Sequence, residues 1–345
     1  MNRSASGADP SNRRRRHIAG ATAVAAMVLL ATACGSIKED TGAGTAQNDA
    51  KLCKRSTDKV IGFDYPLTSL SVYGDLKRFA EQRAKERGYT VKYTADDENL
   101  QKQTQNMQTW VTQKIPAIVS YPLEPASMEP LAQEARNNCT VFVSYASPLK
   151  NQDAAVLFSG LESGKELGKT AAAWAKEHKG PVKVLVLNNR DLAVGAQRDD
   201  GLKATFPAGV SNVEVVSTQK AGTRADGEQI TRTVLQAHPD LNMVLGYDDD
   251  VSLGAQQAFI NAGKNPKDPG IFIGGQDGSK DGLTAVSQGG IYRVSVAVRI
   301  RDIGFAVTDV PADLLEGKPN QGVNVPPVAL TADNPELKDY LSDYS

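Results

Sequence analysis

Histidine and cysteine are both scarce in this chain of 345 residues, which contains three of each. His17 lies in a basic N-terminal stretch, and His178 and His238 are far apart in sequence, so no histidine has a partner at metal-site spacing. The chain also lacks the G-x-S-x-G motif of a serine nucleophile and the G-x-x-x-x-G-K-S/T loop that binds phosphates. We therefore expect no metal, no other cofactor and no catalytic residue.

An excess of charge of one sign is missing as well. The 39 basic and 40 acidic residues leave a formal net charge of -1. Binding to nucleic acid requires a clustered excess of lysine and arginine, so we expect no nucleic-acid partner. The length and the 40% hydrophobic content are sufficient for two domains, each with its own core.

The N-terminus has no hydrophobic run long enough to span a membrane. The basic stretch "RRRRH" precedes 16 uncharged residues, 18–33, whereas a spanning helix needs about 20. This pattern predicts a signal peptide over residues 1–33, and the four arginines also allow the twin-arginine export route. The polar residues that follow, up to about 54, predict a flexible tether.

The three cysteines have two predicted roles. The stretch "LLATACGS" resembles a bacterial lipoprotein box, which implies that Cys34 is acylated and holds the chain on the outer face of the cytoplasmic membrane. The alternative is ordinary signal cleavage with a free Cys34. Because the chain is exported, we expect a disulfide between Cys53 and Cys139, with two free thiols as the alternative.

From residue 58 onward, short apolar strands alternate with amphipathic helices. The strand "KVIGFDY" precedes the helix "YGDLKRFAEQRAKERGY", and the same alternation begins again after about residue 150. Strands separated by helices favour parallel sheets that are covered on both faces. The predicted fold class is therefore α/β, with two Rossmann-like lobes and a cleft between them.

Aromatic and acidic residues stand where several predicted strands end. In open parallel sheets, ligands bind beyond the carboxyl ends of the strands, so these positions predict an aromatic-walled site for a small molecule. A single tyrosine at such a position is also explained by a ring in the core and a hydroxyl in water. The residues are Tyr65, Tyr121, Tyr145, Tyr247, Asp248 and Asp277.

The run of three aspartates in "YDDDVSLGAQQAF" admits several interpretations. It lacks the alternating spacing of a calcium loop, and adjacent side chains at a strand end point in different directions, so the three cannot bind one ion. Asp248 and Asp277 are compatible with the separation of glycosidase carboxylates, so an exported glycoside hydrolase remains an alternative.

Four stretches in their order and spacing resemble the periplasmic-binding-protein-like solute receptors of the ribose-binding type, which serve ATP-driven importers. They are "AIVSYPLEPASMEPLAQEA", "AQRDDGL", "YDDDVSLGAQQAFINAG" and "IFIGGQDG", and the resemblance extends over about residues 58–326. Repressors that share this fold carry a DNA-reading helix-turn-helix first, where this chain has its signal peptide.

The resemblance implies roles for individual residues. Asp248 is expected to accept hydrogen bonds from ligand hydroxyls, with Asp249 as the helix N-cap and Asp250 in the first helical turn. By the same match, Arg198 and Asp277 should face the cleft. The chain departs from the family pattern at several positions, two of which lie in the first half of the chain. "LSVY" leaves Tyr73 as the remaining clamp ring, and Tyr145 precedes an alanine where the family has Asp-Arg.

The ligand expected from this match is a sugar or a polyol. A glutamine that contacts sugar in the family aligns near Val298, beside Arg299, so a modified sugar or an acidic ligand that pairs with Arg299 would also fit. The predicted ligand-binding set is Tyr65, Tyr73, Tyr145, Arg198, Asp248, Asp277 and Arg299.

The resemblance also implies the domain boundaries and the partners. The first lobe is predicted at 55–147 and 298–325, the second at 148–297, and a C-terminal tail at 326–345, with hinge crossings near 146–150, 295–299 and 323–327. We expect a monomer that delivers its ligand to a membrane permease and an ATPase. A sensory receptor that signals to a membrane partner is the alternative.

Overall fold

The computed structural model describes residues 54–345, so the predicted signal peptide, the tether up to residue 53, Cys34 and Cys53 lie outside the described residues. Cys139 is in a disulfide. Its pairing with Cys53 stays a prediction. None of the helices in the described part is both long enough and apolar enough to cross a membrane.

The first half of the chain builds one sheet with its helices. In order, its elements are β1 (Val60–Tyr65), α1 (Ser71–Arg87), β2 (Thr90–Ala95), α2 (Leu100–Thr112), β3 (Ala117–Ser120), α3 (Pro125–Asn137), β4 (Val141–Tyr145) and β5 (Ala154–Phe158). Strands β3 and β4 are buried at every residue, as expected for parallel strands covered by helices on both faces. Helix α1 ends at Gly88, whose φ of 72° gives the left-handed cap that glycine adopts without strain.

The second half repeats the plan. Its elements are α4 (Gly160–Glu177), β6 (Val182–Asn188), α5 (Ala193–Thr205), β7 (Val213–Lys220), α6 (Arg224–Ala237), β8 (Met243–Gly246), α7 (Asp249–Asn261), β9 (Phe272–Asp277), α8 (Lys280–Ser287) and β10 (Tyr292–Ala297). The chain then forms α9 (Ile300–Leu315), β11 (Gly322–Val325), β12 (Val328–Thr331) and α10 (Leu337–Ser342).

The strands form two six-stranded sheets, with the orders β11-β5-β4-β3-β1-β2 and β12-β10-β9-β8-β6-β7. The paired strands are parallel except for β12, which runs antiparallel to β10. Helix α9 packs on α1 and so returns to the first sheet. The α/β fold with two parallel sheets that the sequence predicted is confirmed.

Two predicted boundaries differ from the structure. Strand β5 hydrogen-bonds to β4 and to β11, so the first sheet extends to Phe158, beyond the boundary predicted at 147. Residues 326–345 are more than a tail, because β12 joins the second sheet and buries Leu330. The chain passes between the sheets three times, after β5, after β10 and after β11.

Candidate functional site

A cavity lies between the two lobes, beyond the carboxyl ends of several strands. It encloses about 460 Å³ not filled by protein atoms, a volume that includes open solvent. Its lining residues are Leu70, Val72, Tyr73, Tyr121, Tyr145, Phe158, Leu192, Val194, Gly195, Arg198, Tyr247, Asp248, Asp277, Val298 and Ile300.

Arg198 reaches the cavity from α5 and is almost completely buried. Its Nη1 donates to the Tyr247 carbonyl oxygen at 2.7 Å, and its Nη2 donates to Asp277 Oδ1 at 2.6 Å. Helix α4 can approach this part of α5 because Gly164 has no Cβ; one there would lie 2.0 Å from the Arg198 carbonyl oxygen. Two hydrogen bonds thus fix the guanidinium, while its Nε has no partner in the described part of the chain.

Asp277 ends β9 with a φ of 118°, a backbone conformation that side-chain-bearing residues rarely adopt. Such strain costs on the order of 1–3 kcal/mol and persists where the surrounding structure enforces it. Burial raises the pKa of the Asp277 carboxyl, and the charge and hydrogen bond of Arg198 act in the opposite direction. The strained turn therefore directs a carboxylate into the cavity, against a fixed guanidinium.

Asp248 combines two tasks at the start of α7. It is the N-cap, and its Oδ1 accepts a hydrogen bond from the Val251 backbone N–H at 2.7 Å. Its Oδ2 is buried and forms no hydrogen bond of standard geometry among the described residues, although the Tyr247 hydroxyl is close enough to lower the pKa of the carboxyl. Burial and the charge of Asp277 raise the pKa of this carboxyl well above its usual range. A buried acceptor without a partner is costly for the empty protein and is available to a ligand hydroxyl.

The prediction that Asp249 is the N-cap is wrong, because Asp248 takes that position. The Asp249 side chain is directed instead toward β10 and the loop after β9. It accepts hydrogen bonds from Tyr292 Oη at 2.7 Å, from Ser295 Oγ at 3.0 Å and from the Ser279 backbone N–H at 2.8 Å. Burial raises its pKa to about 7, and the charge of Asp277 acts in the same direction. Asp249 therefore supports the turn that carries Asp277.

Asp250 lies in the first turn of α7, as predicted, and it contacts the other lobe. Its Oδ2 accepts a hydrogen bond from the Ser71 backbone N–H, the first residue of α1, at 2.7 Å. A second contact between the lobes joins Asn189 Nδ2 to Glu98 Oε1 at 2.7 Å. Glu98 reaches across from a loop in which its φ is 59°. The two lobes are thus held together on the outside of the cavity.

Two of the three predicted site tyrosines line the cavity, namely Tyr73 and Tyr145. Tyr65 lies behind Tyr73, with the two rings stacked at 5.3 Å, and its hydroxyl accepts a hydrogen bond from Lys77 Nζ at 3.1 Å. Tyr65 is therefore a support for Tyr73 and is not among the lining residues.

Arg299 does not line the cavity either. Its Nε donates to Asp343 Oδ2 at 2.7 Å, and its guanidinium lies 5.2 Å from the centre of the Tyr340 ring. The residues on each side of it, Val298 and Ile300, do line the cavity, so the backbone turns the arginine toward the C-terminal helix. The arginine expected to receive an acidic ligand is thus occupied by an aspartate of the same chain.

Sequence reasoning missed most of the hydrocarbon lining. Tyr121 and Tyr247 were recognisable as strand ends, and Phe158 follows from β5, which the sequence did not reveal as a strand of the first sheet. The aliphatic residues in the loops and at the helix starts carry no chemical signal that separates them from ordinary core residues. Within residues 54–345, no three His, Cys, Asp or Glu side chains come together as a metal site would require.

The chain resembles known binding proteins in sequence and in fold. The family described as "Periplasmic binding protein domain" matches residues 61–319. The ribose import binding protein RbsB of Bacillus subtilis is 27% identical over 78% of this chain and 86% of its own length. The xylitol-binding protein of Mycolicibacterium smegmatis is 25% identical over 92% of this chain and 86% of its own length.

A solved structure shares the fold. The Caulobacter myo-inositol binding protein, bound to myo-inositol, superimposes with a TM-score of 0.72 at 18% identity, over 84% of this chain and 97% of that one.

Proposed function

The chain belongs to the periplasmic binding protein family of solute receptors that serve ATP-driven importers, and we propose that it binds a neutral sugar or polyol in the cavity between its lobes. Because the family consists of solute-binding proteins, the chain is not an enzyme, as the sequence analysis expected, and a hydrolase role for Asp248 and Asp277 is excluded. The names of its relatives, which include ribose and xylitol binders, support a hydroxylated ligand.

The observation that carries the proposed ligand class is the unpaired oxygen of Asp248. Its Oδ2 is buried at the cavity beside the Arg198–Asp277 pair and forms no hydrogen bond of standard geometry among the described residues, and the Tyr247 hydroxyl beside it interacts with the same carboxyl. A ligand hydroxyl donates to a carboxylate, and charged acceptors form hydrogen bonds about twice as strong as neutral ones. We propose Tyr73, Tyr145, Arg198, Asp248 and Asp277 as the binding set, with Tyr65 as a support and Arg299 removed.

Closure of two lobes explains how such a site releases and retains its ligand. We propose that residues 54–158 with 300–325 form one lobe and 160–297 with 328–331 the other, and that the crossings between the sheets act as the hinge. Closing excludes water and strengthens each hydrogen bond to the ligand. A ligand that binds the closed form better shifts the population toward it, and the importer's membrane subunits then recognise that form.

The family is exported, and the N-terminal sequence supports a more specific location. We propose that Cys34 is lipidated and that the tether holds a monomeric receptor on the outer face of the cytoplasmic membrane, next to the permease and ATPase.

A thermal-shift screen of the purified protein against neutral sugars, polyols and sugar acids tests the proposal. A ligand at about 100 times its dissociation constant adds about 2.7 kcal/mol to the free energy of unfolding, which is several degrees in Tm. We expect a shift from a neutral sugar or polyol that Asp248→Asn loses, because asparagine keeps the N-cap but not the charged acceptor.

Asp226→Asn is the matched control. Asp226 also accepts hydrogen bonds from backbone N–H groups at a helix start, those of Gly222 and Thr223, and it does not line the cavity. It should keep the shift. A panel in which no neutral sugar or polyol raises Tm would refute the ligand class, and retained binding in Asp248→Asn would move the site elsewhere.

A further inference from the structure

The cavity is uneven in polarity. The three charged lining residues, Arg198, Asp248 and Asp277, all come from elements packed on the second sheet. The lobe of the first sheet faces them without a charged side chain, and the polar groups among its lining side chains are the hydroxyls of three tyrosines. The lining residues of this lobe are Leu70, Val72, Tyr73, Tyr121, Tyr145, Phe158 and Ile300.

Aliphatic side chains form an apolar wall at the cavity. Six of them line it, and each is less than 9% exposed: Leu70, Val72, Leu192, Val194, Val298 and Ile300. Part of their backbone is also engaged. The Leu70 carbonyl accepts from the Tyr73 N–H, the Leu192 carbonyl accepts from the Ala196 N–H, and the Val298 N–H donates to the Asp277 carbonyl. A ligand hydroxyl against this wall loses its water partners and gains none, whereas a methyl or methylene group is well accommodated there.

The charges at the cavity also restrict the ligand. Two carboxylates face one guanidinium, whose Nη1 and Nη2 already donate to Tyr247 and Asp277. Arg299, the cation expected from the sequence, is paired with Asp343. Arg198 is thus the one cation among the lining residues and keeps only its Nε unpaired, so an anionic ligand would face two carboxylates and a single, already paired guanidinium.

We infer that the ligand is a neutral sugar or polyol with an unhydroxylated edge, such as a deoxy or O-methyl sugar. Its hydroxyls contact Arg198, Asp248 and Asp277, and its hydrocarbon edge contacts the aliphatic wall. This inference rests on the proposed function and narrows it. Between two sugars that differ only in one hydroxyl or one methyl group, it states which one the cavity selects.

Matched pairs of sugars measured by isothermal titration calorimetry test the inference. The probes are D-fucose with D-galactose, L-rhamnose with L-mannose, 2-deoxy-D-ribose with D-ribose, and methyl β-D-riboside with D-ribose. An apolar pocket disfavours an added hydroxyl by up to about 100-fold, so we expect at least one deoxy or methylated sugar to bind about tenfold or more tightly than its partner. D-Galacturonate should not bind.

The outcomes distinguish a failure of the inference from a failure of the proposed function. If the fully hydroxylated partner binds equally or more tightly in every pair that binds, the inference is wrong and the proposed function stands. Tight binding of D-galacturonate refutes the neutral ligand. If none of these sugars binds, the inference is wrong, and the thermal-shift screen with its polyols decides whether the proposed ligand class stands.

A variant of the wall gives an independent test. Val72→Thr is nearly the same size and adds a hydroxyl to the apolar face, so the preference for the deoxy member should fall about tenfold. Val194→Thr makes the same change from the other lobe if Val72→Thr does not fold. Val215→Thr, at an exposed position outside the cavity, is the control and should keep the preference. An unchanged preference in folded Val72→Thr and Val194→Thr would show that this wall does not select the ligand.

Discussion

Asp250 is predicted to stabilise the closed form although it does not touch the ligand cavity. Helix α1 has Leu70 at its N-cap, no side-chain cap and no acidic residue in its first turn. The Asp250 carboxylate of the other lobe acts as the missing cap, because its Oδ2 accepts a hydrogen bond from the Ser71 N–H at 2.7 Å. Arg224 fixes the carboxylate, with its Nε 2.9 Å from Oδ1. A helix of one lobe is thus capped by a residue of the other.

The free-energy cost of Asp250→Ala to the closed form can be estimated from this geometry. Loss of an N-cap carboxylate costs about 0.5–2 kcal/mol, and a hydrogen bond to a charged group contributes about 1.5–3 kcal/mol. Because the contact joins the two lobes, separating them breaks it, so the loss falls mainly on the closed form. A loss of about 1.4 kcal/mol from the closed form weakens ligand binding about tenfold.

The assay is isothermal titration calorimetry with the tightest ligand of the screen, together with small-angle X-ray scattering with and without that ligand. Asp281→Ala is the matched control, because Asp281 also accepts from Arg224, at 3.0 Å, but is exposed and has no hydrogen bond to Ser71. We expect a Kd about ten times higher for Asp250→Ala, a change of less than about twofold for Asp281→Ala, and less compaction on binding in Asp250→Ala. An unchanged Kd in folded Asp250→Ala would refute the role assigned to this contact.

Three further predictions concern other residues. Burial and the charge of Asp277 raise the pKa of Asp248, so the folded chain binds more protons there than the unfolded chain does above about pH 4, and this contribution to stability falls as pH rises. The Tm of Asp248→Asn relative to the unsubstituted protein should therefore increase between pH 4 and pH 7, and a constant difference would contradict the assignment. Arg299→Ala should lower Tm slightly and leave Kd unchanged, since Arg301 also pairs with Asp343; a tenfold loss of affinity would return Arg299 to the binding set. Cys34→Ala should move the protein from the membrane fraction to the soluble fraction, and continued membrane association would exclude a lipid anchor.

The fold was largely predictable from the sequence because alternating strands and helices leave a periodic signal. Gly88, for example, marked the end of α1, and it adopts the left-handed cap. The failures occurred at strands whose sheet is decided by partners that the local sequence pattern does not show. Strand β5 has five residues and pairs with two strands of the first sheet. One is β4, from which a loop separates it, and the other is β11, which is distant in sequence. Strand β12 has four residues and depends on the antiparallel edge of β10.

The candidate site was predictable only where residue type and strand end coincide. Asp277 and Arg198 meet because one ends β9 and the other faces inward from α5. Arg299 misled the sequence analysis for the opposite reason. Arg299 lies at the crossing that follows β10, beside two residues that line the cavity, but the direction of its side chain depends on Asp343 and Tyr340 near the C-terminus. Such a partner, distant in sequence, leaves no local pattern.

The three adjacent aspartates contact three different parts of the molecule. Successive residues at a strand-to-helix junction point in different directions, so Asp248 faces the cavity, Asp249 faces β10 and Asp250 faces α1 of the other lobe. Each is buried, and each is matched to a different set of donors. The first is left with an unpaired oxygen for a ligand, the second supports the strained turn of Asp277, and the third joins the lobes. We therefore expect ligand affinity to depend on all three carboxylates, although only Asp248 lines the cavity.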